Sequence, residues 1–407
     1  MKKSLTIIGL ALLIGLILWK INTLNRDIVD QSQSVKLNYE EMLAKAGNHL
    51  TPLLKLSTEN KKIPRSVNEE GNIRWINENY DWTEGFWPGT CWMLYNYTND
   101  QKWEEGAIES QQLFVEHRNL TNDHDLGFIF INSFGKAYKI TGKEEYKQVI
   151  IDAASSLITR FNPTIGCIQS WNCGNNWQGK RGWKFPVIVD NLMNLELLFT
   201  VSEITGDDQY KNVAITHANT TMKNHFRENG SSYHVLDYDP QTGNVKSKET
   251  AQGYADESAW ARGQAWGLYG YTMCYRFTHD KKYLDFAEKI ATFILNHPNY
   301  PADGVPYWDY DAPNIPNEPK DASAAAIMAS AFIELSSYTN GKYIDHSRHI
   351  LKSLSSQNYM AADDTNGNFL LMHNVGSLPH GKEIDVPLNY ADFYYIEALL
   401  RMKNWKQ

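Results

Sequence analysis

The sequence predicts an all-α fold, an α/α barrel closed by six helical hairpins. Two observations lead there. One short phrase recurs five times: a Thr, a few turn-forming or charged residues, then an aromatic four or five places on. The copies run Thr98 to Trp103, Thr141 to Tyr146, Thr205 to Tyr210, Thr278 to Tyr283 and Thr339 to Tyr343, each between two apolar stretches with helical spacing. Each is the turn of a helical hairpin, and repeated hairpins must stack to bury their apolar faces. The second observation is an asymmetry. The repeated turns are short, whereas the segments 161–189, 227–257, 297–320 and 357–388 on the other side are long and rich in Trp, Asn, Asp and Gly. An open solenoid is the alternative, but decorated loops gathered at one face suit a closed ring with a pocket there.

The elements follow in order. Met1-Lys2-Lys3 and the uncharged apolar run Leu5 to Trp19 read as a signal peptide or signal anchor over residues 1–25, short for a full membrane span. No small-residue cleavage site follows. The expectation is an exported protein, periplasmic, held at the membrane by residues 5–19 if uncleaved. The barrel domain then covers 36–407. Residues 36–57 form a first helix and 58–81 a polar loop. Leading helices begin near Phe86, Asp125, Asp190, Ser258 and Asp321, trailing helices near the aromatic of each turn. A last helix starts near Asn389 and ends near Met402, giving six of each kind. Residues 230–245 read as a short β-hairpin inside a loop.

With 407 residues, 42% hydrophobic, the chain can fill one large core, and a net charge of -8 argues against nucleic acid as a partner. Cys91 and Cys274 lie in apolar helical runs as buried thiols. Cys167 and Cys173 flank a loop rich in Gly, Asn and Trp and could pair in an oxidising compartment. There is no Walker loop, His-Glu-x-x-His helix, EF-hand loop or Gly-x-Ser-x-Gly elbow. Asp123 and His124 beside Asp125 resemble metal ligands, but no matching His or Cys cluster supports a metal, and no cofactor is expected.

Polar and aromatic clusters mark the starts of the leading helices. Asp81 to Gly89 holds Trp82, Phe86 and Trp87, and reads as a packing turn or a sugar platform. Asp125 and Asp190 each precede an apolar helical run, where an Asp is ordinarily an N-cap. On one barrel rim, however, they would share a pocket, and two carboxyl groups that do so push their pKa values apart. Gln252 to Trp266 places Arg262 and Trp266 four apart on one helical face, fit for a carboxylated sugar; the plainer reading pairs Arg262 with Asp256 or Glu257. Ser377, His380 and Lys382 in the last long loop could hold an oxyanion such as sulfate, or simply be solvated.

Together these clusters resemble those of the unsaturated glucuronyl hydrolases, glycoside hydrolase family 88. The likeness rests on Trp-Thr-x-Gly-Phe-Trp at 82–87, His-Asp-Leu-Gly-Phe at 124–128, Asp-Asn-Leu-Met-Asn at 190–194 and Ala-Arg-Gly-Gln-Ala-Trp-Gly at 261–267. It implies an (α/α)6 barrel that removes a terminal 4,5-unsaturated uronic acid from oligosaccharides made by polysaccharide lyases, by hydrating the C4=C5 vinyl ether. It implies Asp190 as general acid and base and Asp125 as the second carboxyl group. Trp82, Phe86 and Trp266 match stacking positions, and His234, Gln252 and Arg262 match contacts to uronate and water. Members that accept sulfated chondroitin disaccharides carry Ser-x-x-Ser-x-Lys in the last loop; here His380 replaces the second Ser between Ser377 and Lys382. Unsaturated rhamnogalacturonyl hydrolases, a conventional inverting glycosidase and a non-catalytic carbohydrate-binding protein are the rival readings. Monomer and dimer are both compatible with the sequence.

Overall fold

Helices of two kinds alternate along the chain, and the kind is set by how much of each is apolar. The computed structural model describes residues 37–76 and 79–406, and its elements fall in one compact unit from Tyr39 onward. The export segment expected over residues 1–25 lies outside the described residues. Among the described residues, twelve helices run to eleven residues or more, counting 126–141 as one. Six form an inner ring: α2 (Phe86–Thr98), α4 (residues 126–141, with a π turn at Ile131–Gly135), α6 (Leu195–Thr205), α8 (Ala261–Thr278), α10 (Ala322–Tyr338) and α12 (Asn389–Lys403). Six lie outside them: α1 (Tyr39–Asn60), α3 (Gln101–Gln112), α5 (Glu144–Ile158), α7 (Asp208–Asn224), α9 (Lys281–Asn296) and α11 (Ile344–Leu354).

The inner helices touch in sequence order, and α12 packs back on α2, so the ring closes. The predicted α/α barrel is the observed one. An inner helix is enclosed on every side: in α10 each residue from Ala322 to Ile333 is buried. An outer helix buries one stripe: in α9 it is Tyr283, Ala287, Ile290, Ala291 and Ile294, spaced three, four or one apart.

The recurring turns have a common construction. Thr98, Thr141, Thr205 and Thr278 each donate Oγ1 to the carbonyl four residues back (2.6–2.8 Å) and accept the N–H two residues on (3.2–3.3 Å). The next residue, Asn99, Gly142, Gly206 or His279, takes a left-handed conformation that ends the inner helix. Asp100, Asp207 and Asp280 then cap the outer helix, and the aromatics Trp103, Tyr146, Tyr210, Tyr283 and Tyr343 are buried.

Small antiparallel sheets occupy the long connections at the opposite end. The stretch 58–81, expected to be a loop, contains a hairpin of β1 (Pro64–Val67) and β2 (Ile73–Trp75). Its three-residue strand Ile73–Trp75 is too short to give a period-2 signal. β3 (Phe161–Asn162) and β4 (Cys167–Ile168) pair with each other. β5 (Pro186–Ile188), β6 (Val235–Tyr238) and β7 (Val245–Glu249) form a three-stranded sheet, so the expected hairpin exists but is extended by a strand from the preceding connection. β8 (Asn374–Ser377) and β9 (Lys382–Val386) make the last hairpin. All four cysteines are free: Cys167 packs with Phe185, Leu236 and Tyr238, and Cys173 against Trp183 and Ile188 in a separate cluster, so the pair does not form.

Candidate active site

Two glycines draw the inner helices together where the long connections enter. A Cβ on Gly85 would sit 2.2 Å from the Ile129 carbonyl oxygen, and one on Gly127 2.3 Å from the Asn194 Cα. Neither contact is sterically possible for a larger residue. The starts of α2 and α4 and the turn before α6 therefore meet at one rim. Asn194 locks the junction, accepting the Phe128 N–H at 2.9 Å and donating to Asp125 Oδ1 at 3.3 Å.

Asp125 occupies the N-cap position of α4, yet its carboxylate makes no capping bond. Asp190 lies inside a 3₁₀ turn (Val189–Asn194), one step ahead of α6 rather than at its first α-helical turn. The α-helix is delayed because Asn191 is turned to Ile168 O and Ser170 Oγ, and Val189 donates its N–H to the His234 carbonyl. The capping reading thus fails for both, while it holds for Asp321, which accepts the Ser323 N–H. Asp125 and Asp190 line one cavity of about 80 Å³ with Trp82, Phe128, Trp171, Ile188, Gln252 and Arg262.

Burial raises the Asp190 pKa to about 6, with the positive charge of Arg262 offsetting part of the effect. Its Oδ1 is buried without a hydrogen-bond partner. His234 Nε2 stands 3.8 Å away, too far for a direct bond and within the reach of a single bridging oxygen. His234 Nδ1 accepts the N–H groups of Ala251 and Gln252, so the ring proton is on Nε2, facing Asp190. Burial, then Arg262, pushes the His234 pKa far down, and the ring is neutral.

Asp125 is raised further, to about 7, first by burial and then by Asp123 and Asp190, while His124 and Asn194 act against the rise. His124 lies between two carboxylates, Nδ1 3.2 Å from Asp123 and Nε2 3.3 Å from Asp125. Burial alone would lower its pKa; the two carboxylates outweigh that and raise it. Tyr80 donates to Asp123 at 2.6 Å and holds the far end of the row. The one group among the described residues with metal-ligand spacing is this same Asp123–His124–Asp125 run. The imidazole lies within ion-pair distance of both carboxylates, and neither of its nitrogens makes a hydrogen bond.

Arg262 does not pair with Asp256 or Glu257. Glu257 meets Arg227, and Asp256 accepts the Thr250 N–H. Arg262 Nη1 binds Asp321 (2.9 Å) and the Val375 carbonyl; Nη2 binds Gln252 Oε1 (3.0 Å) and the Gly376 carbonyl (2.6 Å). Its four terminal N–H groups are all engaged. It keeps no empty fork and presents only its charge to the cavity, and it ties the β8–β9 hairpin to the site. Ser377 Oγ and His380 Nδ1 are 2.7 Å apart on that hairpin, and Lys382 pairs in register with Ser377. These three stand beyond the residues lining the cavity. Phe86 and Trp266 are 0% and 1% exposed. Trp266 packs edge-on and Phe86 tilted against Phe128 and Tyr394, as a floor with no open face for a sugar ring, and Trp82 lies 5.5 Å from Phe128 and 4.9 Å from Tyr390.

This geometry meets the comparisons with known proteins. The glycosyl hydrolase family 88 model matches residues 56–407. The chain belongs to that family. It is 41% identical to an unsaturated glucuronyl hydrolase of Formosa agariphila over 98% of each chain. It is 34% identical to an unsaturated chondroitin disaccharide hydrolase of Streptococcus agalactiae, over 91% of this chain and 93% of the relative. Among solved structures, an unsaturated glucuronyl hydrolase specific for heparin superposes with a TM-score of 0.84 at 45% identity, covering 89% of this chain and 97% of the other. This family 88 member is a glycoside hydrolase.

Sequence reasoning missed Trp171 as a wall of the cavity, edge-on to His124 and His234. The signal was there, since a turn-rich loop has little structural use for Trp. His124 and Asn194 stood inside quoted motifs, but their contacts depend on a partner element.

Proposed function

We propose that this enzyme removes the terminal 4,5-unsaturated uronic acid from lyase-generated oligosaccharides, sulfated or not, by adding water across the C4=C5 vinyl ether. The observation that carries the proposal is Asp190: a buried carboxyl group with an unpartnered oxygen and a pKa near 6, facing a cavity it shares with a second carboxyl group. A proton held near neutral pH is available to a weakly basic carbon. Asp190 gives that proton to C4, leaving cationic character at C5 and the ring oxygen. Asp125 stabilises this charge when it is ionised, the form favoured by a protonated His124 3.3 Å away. Asp190, now a carboxylate, takes a proton from the water that adds to C5, and neutral His234 offers its Nε2–H to an oxygen between them. The hemiketal at C5 opens, C1 becomes a hemiacetal, and the sugar it carried is released. Arg262 lends positive charge to the uronate, Gln252 has its amide NH₂ left for the ligand, and Trp82 covers the ring.

The 45% identity to a heparin-specific structure and the 34% identity to a chondroitin disaccharide hydrolase support a glycosaminoglycan source. Loss of ultraviolet absorbance from a panel of unsaturated disaccharides tests the activity. In heavy-oxygen water the label is expected at C5 of the uronate product; label at C1 means a conventional inverting hydrolase and overturns the hydration step. We also propose that residues 1–25 carry the enzyme to the periplasm, with residues 5–19 anchoring it if uncleaved; cell fractionation with and without residues 1–25 tests this.

A further inference from the structure

The connection 161–189 is chemically unlike the rest of the chain. The protein carries a net charge of -8, yet this segment holds Lys180, Arg181 and Lys184 and no carboxylate. It also holds three Trp residues, and they form one cluster. Trp171, which lines the cavity, stacks on Trp183 at 5.9 Å and meets Trp177 at 5.3 Å. Trp177 is 41% exposed, one of few large apolar side chains so placed. Arg181 lies over both neighbours, 5.7 Å from the Trp177 ring and 5.0 Å from Trp183, with Nη1 fixed on the Thr250 carbonyl at 2.6 Å and 3.8 Å from the Glu249 carboxylate, a loose pair that leaves the Arg181 side chain 38% exposed. From the other side of the mouth His380 approaches the Trp177 ring to 5.4 Å. An exposed indole braced on three sides, beside a cation held in place, has the make-up of a binding shelf: the ring face takes the apolar face of a sugar and the guanidinium its charge.

We propose that Trp177 and Arg181 form an outer subsite for the third ring, counted from the unsaturated end, of an anionic oligosaccharide. The inference rests on the proposed function. The occupant follows from continuity and charge. Asp190 and Arg262 sit in the cavity, Trp171 forms its wall, and Trp177 continues the same aromatic surface outward. A chain entering by its unsaturated end passes these in order. The cationic segment matches the carboxylates or sulfates that recur along such a chain, and the acidic remainder of the protein surface repels them.

The test is kcat/KM on an unsaturated disaccharide and the tetrasaccharide of the same repeat, for wild type, Trp177→Ala and Arg181→Gln. Wild type is expected to favour the tetrasaccharide by about three- to tenfold, the scale of one aromatic contact. Trp177→Ala should bring the ratio to about one. Arg181→Gln should lower the ratio at low salt and matter less at high salt. Equal loss on both substrates, or an unaltered ratio in both variants, overturns the subsite while leaving the activity in place. A wild type that consumes neither substrate overturns the proposed function instead.

Discussion

The two ends of the barrel bury carboxylates in opposite ways. At the closed end, Glu334 accepts Arg276 through both oxygens (2.7 and 3.0 Å) and Arg401 at 2.6 Å. Glu397 accepts Ser330 at 2.7 Å and Tyr269 at 3.1 Å, with Lys136 at 3.4 Å. Burial would raise both acids, but Arg276 and Arg401 outweigh it at Glu334 and lower its pKa, while Arg401 and Lys136 pull Glu397 to about 2. At the open end, Asp190 keeps an unpartnered oxygen and Asp125 faces other carboxylates, so burial wins and both stay raised. The closed end also has the larger cavity, about 560 Å³ against 80 Å³, yet its charged walls are committed to one another. Chemistry belongs where buried charge is left wanting a partner, and the size of the cavity does not locate it.

The largest expected effect tests that contrast directly. Asp190→Asn should lower kcat by about 10²–10⁴-fold and leave the melting temperature at or above wild type, because an unpaired buried acid has been removed. Activity within about tenfold of wild type would misassign the acid. The mirror-image change, Glu397→Gln, should cost about 3 kcal/mol of stability by leaving Arg401 and Lys136 underpaired, with kcat of the folded enzyme close to wild type. Chemical denaturation and kinetics on the same samples read both quantities.

The pH dependence of stability should divide between the ends. Asp190 has a folded pKa near 6, above the ordinary Asp value of 3.8. Its contribution is full below about 4 and is lost as pH rises through about 6; Asp125 acts in the same direction. Glu397 is displaced downward, so its contribution is present above about 4.5 and is lost as pH falls toward 2. Asp190→Asn should flatten the neutral side of the stability profile, and Glu397→Gln the acid side. If both variants alter the same limb, the contrast fails.

The smallest effect belongs to the repeated turn. Thr205→Ala removes the Oγ1 bonds to the Val201 carbonyl and from the Asp207 N–H. A loss of about 1 kcal/mol is expected, with kcat/KM close to wild type, since the turn lies at the end remote from Asp190.

Much of this was legible in the chain. The Thr-to-aromatic phrase carried its own explanation, because each of its bonds spans at most four residues. Twelve helices and the rim occupied by Asp125 and Asp190 followed from counting those turns. What was not legible depended on distant partners. Arg262 was expected beside Asp256 or Glu257, a few positions away, and instead holds Asp321 and the backbone of Val375 and Gly376. Phe86 and Trp266 looked like sugar platforms, and the close approach of α2, α4 and α12 sealed them beneath Trp82.

By itself, then, the sequence determined the hairpins, their number and the end at which the acids gather, because local hydrogen bonds and apolar periodicity are written in adjacent residues. Tertiary structure alone decided which buried acid keeps its proton. A carboxyl group's pKa is set by the charges and donors within a few ångströms, and here Glu397 finds them on three other helices while Asp190 Oδ1 accepts no hydrogen bond.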